Sequence, residues 1–300
     1  MKIIENELNL LNKLLGNALN IVPEEISKDI NNFVFSKSKR IRPALIFFVA
    51  NAMNYKISNK ILMLSAAVEL IHNATLIHDD IIDNADIRRG NASLNITLGN
   101  NLSVLSGDIL LSAAMQLLSK LGDMEIIELY SFTLQKMCEG EINQHFSLNK
   151  IPTIEEYLRK TQNKTAELFA AALESLCIIE NSNYRSDIRN FAINFGIAFQ
   201  IKDDLDNILN TDEGKPSLSD IHNGIYTLPV ILLAENIKDI TKMNNEEITA
   251  ELRKNPAILN KTQETINEYI NKAIASLGFM QDNQYKESII KYSRKLNGAL

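Results

Sequence analysis

The stretch LIHDDIIDNADIRRG, from Leu76 to Gly90, places four aspartates and two adjacent arginines within fifteen residues. The segment before it, from Ile61 to Leu70, is largely apolar. Aspartates alone would indicate a metal site and arginines alone an anion site, because carboxylates bind hard cations and guanidinium groups bind phosphate oxygens. The two together, at the end of an apolar segment, indicate a site for a metal–anion complex.

Composition excludes several classes of protein. A chain of 300 residues can bury a sizeable core, and its apolar fraction of 45% and charged fraction of 23% are typical of a globular protein. The net charge of −6 disfavours general nucleic-acid binding. The two cysteines, Cys138 and Cys177, lie far apart without metal-ligand spacing, which argues against structural zinc or a disulfide framework.

The cellular location is predicted from the apolar segments. The N-terminal segment MKIIENELNLLNKLL contains Glu5 and Glu7 within its apolar part and has no small-residue cleavage site, unlike a signal peptide. No window reaches the roughly 18 consecutive apolar residues of a membrane span. We therefore expect a cytoplasmic protein without a membrane span.

The placement of glycine and proline predicts long helices. Neither residue occurs between Pro43 and Gly90 or between Pro152 and Gly196, and strand-like alternation is scarce. No linker or repeat is evident, so we expect a single all-α domain over residues 1–300. The predicted helical segments are roughly 5–20, 42–53, 59–83, 102–121, 124–144, 153–179, 187–209, 227–235 and a pair from 256 onward.

The acidic stretch fits a magnesium site if it is helical. Asp79 and Asp83 would then lie one turn apart on the same face, where their mutual repulsion would be relieved by a divalent cation. A solvated acidic helix end with arginine counter-charges would show the same residues. His72 and His78 leave a third interpretation open, a metal-dependent HD phosphohydrolase, which is also all-helical.

A second acidic stretch favours the metal–diphosphate interpretation. FQIKDDLDNI, from Phe199 to Ile208, repeats the paired aspartates after another apolar segment, whereas His145 and His222 have no ligand-like spacing. Two basic stretches supply fixed positive charge: KSKRIRP at 37–43, at a predicted helix start, and KTAELF at 164–169. Alone, KSKRIRP is equally typical of a basic surface patch. The lysine pair Lys160 and Lys164 is by itself more typical of a solvated helix face.

Taken in order, these motifs resemble those of the trans-polyprenyl diphosphate synthases. DDIID with RRG, KRIRP, the EGE of 139–141, KTAELF and FQIKDD occur in that family's order and spacing between Ser38 and Pro229. The resemblance implies an all-α helical bundle around a deep central cavity, usually a homodimer, with the two aspartate motifs facing each other. It also implies an enzyme that adds isopentenyl diphosphate to an allylic diphosphate with three Mg²⁺ ions.

The resemblance also implies roles for particular residues. Asp79 and Asp83 would hold two ions against the allylic diphosphate, and Asp203 would hold the third with Asp204 in support. Thr165 and Gln200 would line the path of the allylic cation. The side chains expected to bind the two diphosphates are Arg88, Lys164 and Lys215 for the allylic substrate, and Lys39, Arg42, His72 and Arg89 for isopentenyl diphosphate.

Product length is predicted from two small residues. The first motif lacks the insertion found in bacterial enzymes that make short products, and Ala74 and Thr75 stand where aromatic residues block growth in the family. Because pocket depth limits the length of a bound chain, this pattern favours a medium- or long-chain product of roughly C30–C50. A farnesyl or geranylgeranyl product is the alternative.

Three positions depart from the family's pattern. Lys37-Ser38 replaces the usual glycine pair, Asn207 follows an extra acid at Asp206, and Ile225 stands in place of a lysine. These departures leave open a weakly active or regulatory subunit of a hetero-oligomeric synthase. A terpene cyclase would lack the basic site at Lys39 and Arg42.

Overall fold

The computed structural model describes residues 2–36, 38–209, 219–237 and 240–296. Over these residues the chain is almost entirely helical, which confirms the all-α fold class. The α-helices are α1 (Glu5–Ala18), α2 (Glu24–Phe35), α3 (Ile41–Ala52), α4 (Asn59–Ile82), α5 (Leu94–Leu98), α6 (Asn100–Ser119), α7 (Met124–Phe146), α8 (Ile154–Thr161), α9 (Glu167–Ile179), α10 (Arg185–Leu209), α11 (Ser219–His222), α12 (Leu228–Ala234), α13 (Asn245–Lys254), α14 (Pro256–Ala275) and α15 (Gln284–Lys295).

The chain also contains short 3₁₀ turns and a small β-hairpin. Short 3₁₀ turns cover Lys2–Ile4, Leu19–Ile21 and Ile240–Lys242. Two-residue strands β1 (Ile87–Arg88) and β2 (Asn91–Ala92) pair antiparallel, with Ile87 opposite Ala92. This hairpin follows directly on the first acidic motif.

Helices α2, α5, α11 and α13 and the β1–β2 hairpin lie outside the predicted helical segments, and one predicted helix is interrupted. Helix α2 was not predicted, although Glu24 and Glu25 lie in its first turn and its buried side chains recur at helical spacing. The predicted segment 153–179 is also not continuous, because a π-helical turn at Gln162–Ala166 separates α8 from α9. A π turn contains one more residue than an α-turn, and such turns are frequent at functional sites.

The chain forms two compact units. The first comprises Met1–Leu129, Ala172–Arg185 and Met280–Ile289. Its central helix is α4, which packs against α1, α3 and most extensively α6. Helix α4 begins at the N-cap Ser58, whose side chain accepts a hydrogen bond from the Ile61 amide.

The second unit comprises Tyr130–Ala171, Ser186–Phe279 and Ile290–Leu300. Its core consists of buried side chains of α8, α10, α12, α13 and α14, including Tyr157 and Ile201. Helix α8 begins with a capping box between Thr153 and Glu156. The single domain expected over residues 1–300 stays a prediction.

Two helices are long and apolar enough, by length and composition alone, to cross a membrane. They are α4, whose most apolar window is 67% buried inside the protein, and α6, whose window is 44% buried. Core helices of soluble proteins meet the same criterion, so this is weak evidence against the predicted absence of a span.

Candidate functional site

The first acidic motif lies at the C-terminal end of α4. The Asp83 amide donates to the Asp79 carbonyl oxygen (2.8 Å), so the two aspartates are one helical turn apart, as predicted. Both side chains are half-buried. Two carboxylates one turn apart suit a hard divalent cation whose remaining positions are filled by water and phosphate oxygens.

Asp80 has a different environment from its two neighbours in the motif. Only 1% of it is exposed, and its Oδ1 accepts a hydrogen bond from Arg88 Nε (2.7 Å), with Arg88 Nη2 contacting the same oxygen. The β1–β2 hairpin brings Arg88 back to the helix end. Arg88 was predicted to bind the allylic diphosphate, and this role stays a prediction that would use its remaining N–H donors.

His72 is surrounded by arginines. Burial lowers the pKa of its imidazole well below the usual range, and the positive charges of Arg42, Arg89, Arg88 and Arg40, in that order, lower it further. The neutral imidazole is therefore the stable form. Three residues predicted to bind isopentenyl diphosphate, His72, Arg42 and Arg89, thus lie in one electropositive region, whereas Lys39 is exposed to solvent.

Arg40 was given no role in the sequence analysis, yet it anchors this region. It adopts a left-handed backbone conformation (φ 46°) before α3, and its guanidinium donates to Glu69 Oε1 (2.7 Å) and to the Val34 carbonyl (2.8 Å). Ser38, which replaces a family glycine, accepts a hydrogen bond from the Arg40 amide (3.3 Å) and donates to Glu69 (3.4 Å). Ser38 therefore supports the turn; Lys37 lies outside the described residues.

Arg89 is held beside the same turn. Its Nη1 donates to Ser36 Oγ (3.1 Å), and its own backbone is left-handed (φ 53°). Burial lowers the pKa of its guanidinium, opposed by the negative charge of Glu69. The first unit therefore presents both carboxylates and clustered guanidinium groups, the combination that the opening stretch predicted.

In the second unit, the π turn carries Lys164 and Thr165. The turn is approached closely by two glycines: a Cβ added at Gly140 of α7 would lie 3.1 Å from the Lys164 amide nitrogen, and one at Gly196 of α10 would lie 2.6 Å from the Ala166 Cα. Lys164 forms an ion pair with Glu141. A side chain at Gly196 would therefore force the backbone to shift, and one at Gly140 would fit only if the turn moved slightly.

The second acidic motif lies near the end of α10, with Asp203 half-buried and Asp204 buried. Asp204 accepts hydrogen bonds from the Tyr157 hydroxyl (2.6 Å) and from Gln200 Nε2 (2.8 Å). Thr165 Oγ1 in turn donates to Gln200 Oε1 (2.7 Å). Thr165 and Gln200, predicted together from the resemblance, are therefore in direct contact. Tyr157 was missed, because it lies 47 residues from Asp204 in the sequence.

The departures near the second motif have local explanations. The extra acid Asp206 forms an ion pair with Lys202 one turn earlier on α10. Asn207 is buried in the same helix. The extra acid is therefore neutralised within its own helix.

The two residues predicted to set product length lie on α4. Ala74 is buried on α4, and half-buried Thr75 donates to the His72 carbonyl (2.9 Å). Lys215 lies outside the described residues. The two acidic motifs belong to different units, and their expected placement across a cavity stays a prediction.

Within the described ranges, no three His, Cys, Asp or Glu side chains are grouped closely enough to hold a metal ion by themselves. The finding concerns groups of three or more such side chains. It is compatible with Asp79 and Asp83 as a two-carboxylate half-site, since Mg²⁺ commonly takes one or two carboxylates together with substrate phosphates.

Comparisons with known proteins agree with this geometry. The family model described as polyprenyl synthetase matches residues 23–269. A prenyl transferase of Cyanidium caldarium is 30% identical over 98% of this chain and 95% of its own length, and the octaprenyl diphosphate synthase of Escherichia coli is 32% identical over 84% and 83%.

Solved structures show the same fold. Heptaprenyl diphosphate synthase from Staphylococcus aureus superposes with a TM-score of 0.93 at 26% identity, covering 98% of both chains. A polyprenyl synthase from Caulobacter crescentus, complexed with calcium and isoprenyl diphosphate, superposes with a TM-score of 0.91 at 25% identity, covering 99% of this chain and 95% of its own.

Proposed function

The chain belongs to the polyprenyl synthetase family, and on that premise we propose that it condenses isopentenyl diphosphate with an allylic diphosphate to make a medium- or long-chain all-trans polyprenyl diphosphate. It is a prenyltransferase. The observation that carries the proposal is the family match over most of the chain. Within the matched residues, α4 and α10 each carry paired aspartates near their C-terminal ends, with basic side chains close in sequence.

The family uses a divalent metal for catalysis. We propose that this chain binds three Mg²⁺ ions. Asp79 and Asp83 would hold two of them and Asp203 the third. When bound, such ions stabilise negative charge on a departing pyrophosphate. The proposal is supported by the half-exposed carboxylates at the two helix ends, in contrast to the buried Asp80 and Asp204.

The protein's own residues would bind and orient the two diphosphates. Arg42, Arg89 and neutral His72 would hold isopentenyl diphosphate, and Lys39 would meet it from the exposed side. Arg88 and Lys164, with Lys215, would contact the allylic diphosphate. Guanidinium groups fixed in advance by neighbouring side chains, as Arg89 is by Ser36, stabilise developing negative charge without reorganising during the reaction.

Product length follows from the residues before the first motif. Relatives of this chain are named octaprenyl, solanesyl and decaprenyl diphosphate synthases. Ala74 and Thr75 are small, and we infer that they leave room for a product of roughly C30–C50, since pocket depth limits the bound chain. Replacing Ala74 by phenylalanine should therefore shorten the product.

A second copy of the chain is the proposed partner. Helix α6 exposes three large apolar side chains near its N-terminal end, Leu102, Val104 and Leu105, which is unusually apolar for a helix exposed to solvent. Helix α7 also exposes large apolar side chains, among them Phe132, Ile142 and Phe146. Light scattering of the purified protein tests this assignment, and a monomer at micromolar concentration would contradict it. The cytoplasmic location stays a prediction.

One assay tests the proposed reaction. Purified protein is supplied with labelled isopentenyl diphosphate, farnesyl diphosphate and Mg²⁺, and the products are sized by chromatography, with and without a chelator. We expect successive elongation that the chelator stops. Absence of elongation by the protein alone would overturn the proposal for a homomeric enzyme and favour a subunit that needs a partner.

A further inference from the structure

A chain of hydrogen bonds connects a buried tyrosine to the turn that carries Thr165. The Tyr157 hydroxyl and Gln200 Nε2 both donate to the Asp204 carboxylate, at 2.6 and 2.8 Å, and Thr165 Oγ1 donates to Gln200 Oε1 at 2.7 Å. Tyr157, Asp204 and Thr165 are all buried. In such surroundings each of these bonds is strengthened by the low local dielectric.

The direction of every bond in this chain is fixed by chemistry. An ionised carboxylate only accepts hydrogen bonds, so Tyr157 and the Gln200 amide nitrogen must be the donors. Burial, followed by the negative charge of Asp204, raises the pKa of Tyr157 well above its usual range, so the phenol keeps its proton. Gln200 must then direct its oxygen to Thr165, which commits the Thr165 hydroxyl hydrogen to Gln200.

The backbone of Thr165 is fixed independently of this chain. Gly140 and Gly196 approach the π turn so closely that neither position has room for a Cβ without a shift. With both backbone and hydroxyl hydrogen fixed, the oxygen lone pairs of Thr165 have a defined direction. An oxygen so fixed can stabilise positive charge, whereas a freely rotating hydroxyl would also present its hydrogen.

We propose that Tyr157 is a positioning residue for the carbocation end of the site. Through Asp204 and Gln200 it orients the Thr165 hydroxyl, so that lone pairs rather than a hydrogen meet the positive charge developing on the allylic substrate. The same contacts turn Asp204 into the core and distinguish it from Asp203. The inference rests on the proposed prenyl transfer, in which Thr165 and Gln200 line the path of the cation.

Tyr157→Phe tests the inference, because it removes the hydroxyl and keeps the buried ring. We expect kcat for elongation to fall about tenfold to a hundredfold while KM for both diphosphates changes less than about twofold, since Tyr157 itself is not among the residues proposed to bind the diphosphates. The matched control is Tyr226→Phe, a buried tyrosine of the same core, which should behave like the wild type. A tenfold rise in KM with kcat unchanged would overturn the inference.

A double-mutant cycle tests the route through Asp204. In an Asp204→Asn background, adding Tyr157→Phe should change kcat by less than about twofold, because coupled residues are not additive. Full additivity of the two substitutions would show that Tyr157 acts by another route and would overturn the inference.

A readout without substrate separates this inference from the proposed function. With glutamine selectively labelled with ¹⁵N, we expect the Gln200 side-chain amide signal to shift and to exchange faster with solvent in Tyr157→Phe but not in Tyr226→Phe. An unchanged Gln200 signal would overturn the inference even if the enzyme is active. An inactive wild type with the expected Gln200 change would overturn only the proposed reaction.

Discussion

The ends of α4 and α10 each carry paired aspartates, but they hold the buried member of the pair in different ways. In both pairs the first aspartate, Asp79 or Asp203, is half-buried and the second is buried, with 1% of Asp80 and 5% of Asp204 exposed. Asp80 is bound by the guanidinium of one residue on a nearby hairpin. Asp204 is instead bound by a tyrosine and an amide that belong to a longer chain of hydrogen bonds.

This difference shows that paired aspartates near the end of a helix can organise their surroundings in two ways. At α4 the ion pair with Arg88 fixes the loop that follows the helix, and with it the arginine-rich region. At α10 the chain of hydrogen bonds through Gln200 reaches Thr165 on the π turn, so that Asp204 connects the motif to a residue that we propose lines the path of the cation. The first arrangement depends on charge and the second on the direction of hydrogen bonds.

The largest expected effect follows from removing the half-buried aspartate of the first pair. Asp79→Ala should lower kcat/KM by about a thousandfold or more, because a carboxylate proposed to hold a divalent cation would be lost. Asp86→Ala is the matched control, since Asp86 is an exposed carboxylate in the same stretch, and it should stay within about twofold of the wild type. Steady-state kinetics measure both, and full activity in Asp79→Ala would make the metal assignment wrong.

The partners of the two buried aspartates, Asp80 and Asp204, should contribute different amounts to the stability of the protein. Arg88→Ala leaves the buried Asp80 charge without its ion-pair partner and should lower the free energy of unfolding by about 3–5 kcal/mol. Gln200→Ala removes a neutral hydrogen-bond donor to Asp204 and should lower the free energy of unfolding by about 1–2 kcal/mol. Urea denaturation measures both variants, and equal losses would show that charge is not what distinguishes the two motifs. Arg88→Lys keeps the charge without the planar fork, so its free energy of unfolding should lie between those of the wild type and Arg88→Ala.

Helical periodicity is the part of this site that the sequence predicts well. The spacing of Asp79 and Asp83 places them one turn apart on any α-helix, and the absence of glycine and proline from 44–89 makes that helix long. The pairing of Asp80 with Arg88 is less predictable. It depends on the connection from α4 to β1 and on the hairpin, where Asn84 and Arg89 respectively adopt left-handed backbone conformations, which few side chains favour.

Contacts distant in sequence were not predictable from pattern. Tyr157 meets Asp204 only because α8 and α10 pack together in one core, and nothing in the residues around Tyr157 distinguishes it from an ordinary core aromatic. The π turn was also missed, since Gln162–Ala166 has the composition of a continuous helix. The turn packs closely against the neighbouring helices at Gly140 and Gly196, a contact that the sequence of the turn itself does not reveal.

The glycines near the two motifs give a smaller contrast. Gly196→Ala would place a Cβ 2.6 Å from the Ala166 Cα. Because the backbone must then move, we expect the free energy of unfolding to fall by about 1–3 kcal/mol. At Gly107 of α6 the added Cβ would meet the His78 imidazole, so the loss in Gly107→Ala should be relieved by adding His78→Ala. Gly16→Ala is the control, since a Cβ there has no neighbour within 4 Å and should stabilise α1 by about 0.5–1 kcal/mol. Thermal unfolding measures all of them, and failure of His78→Ala to relieve the loss would make the Gly107 explanation wrong.

The smallest expected effect concerns Asn207, the neutral residue of the second motif. Asn207→Asp introduces a carboxylate at a buried position close in sequence to Asp203, Asp204 and Asp206, so burial and like charges should raise its pKa in the folded protein. Such a group is neutral in both states at low pH, and as the pH rises the unfolded chain ionises first, so the variant loses stability relative to the wild type with increasing pH. We expect a loss of about 1 kcal/mol at about pH 8 and less at about pH 5, measured by urea unfolding, with turnover changed less than about threefold. A loss that grows towards low pH would contradict the burial argument, and a loss of turnover comparable to that of Asp79→Ala would show that the neutral side chain is required in the second motif.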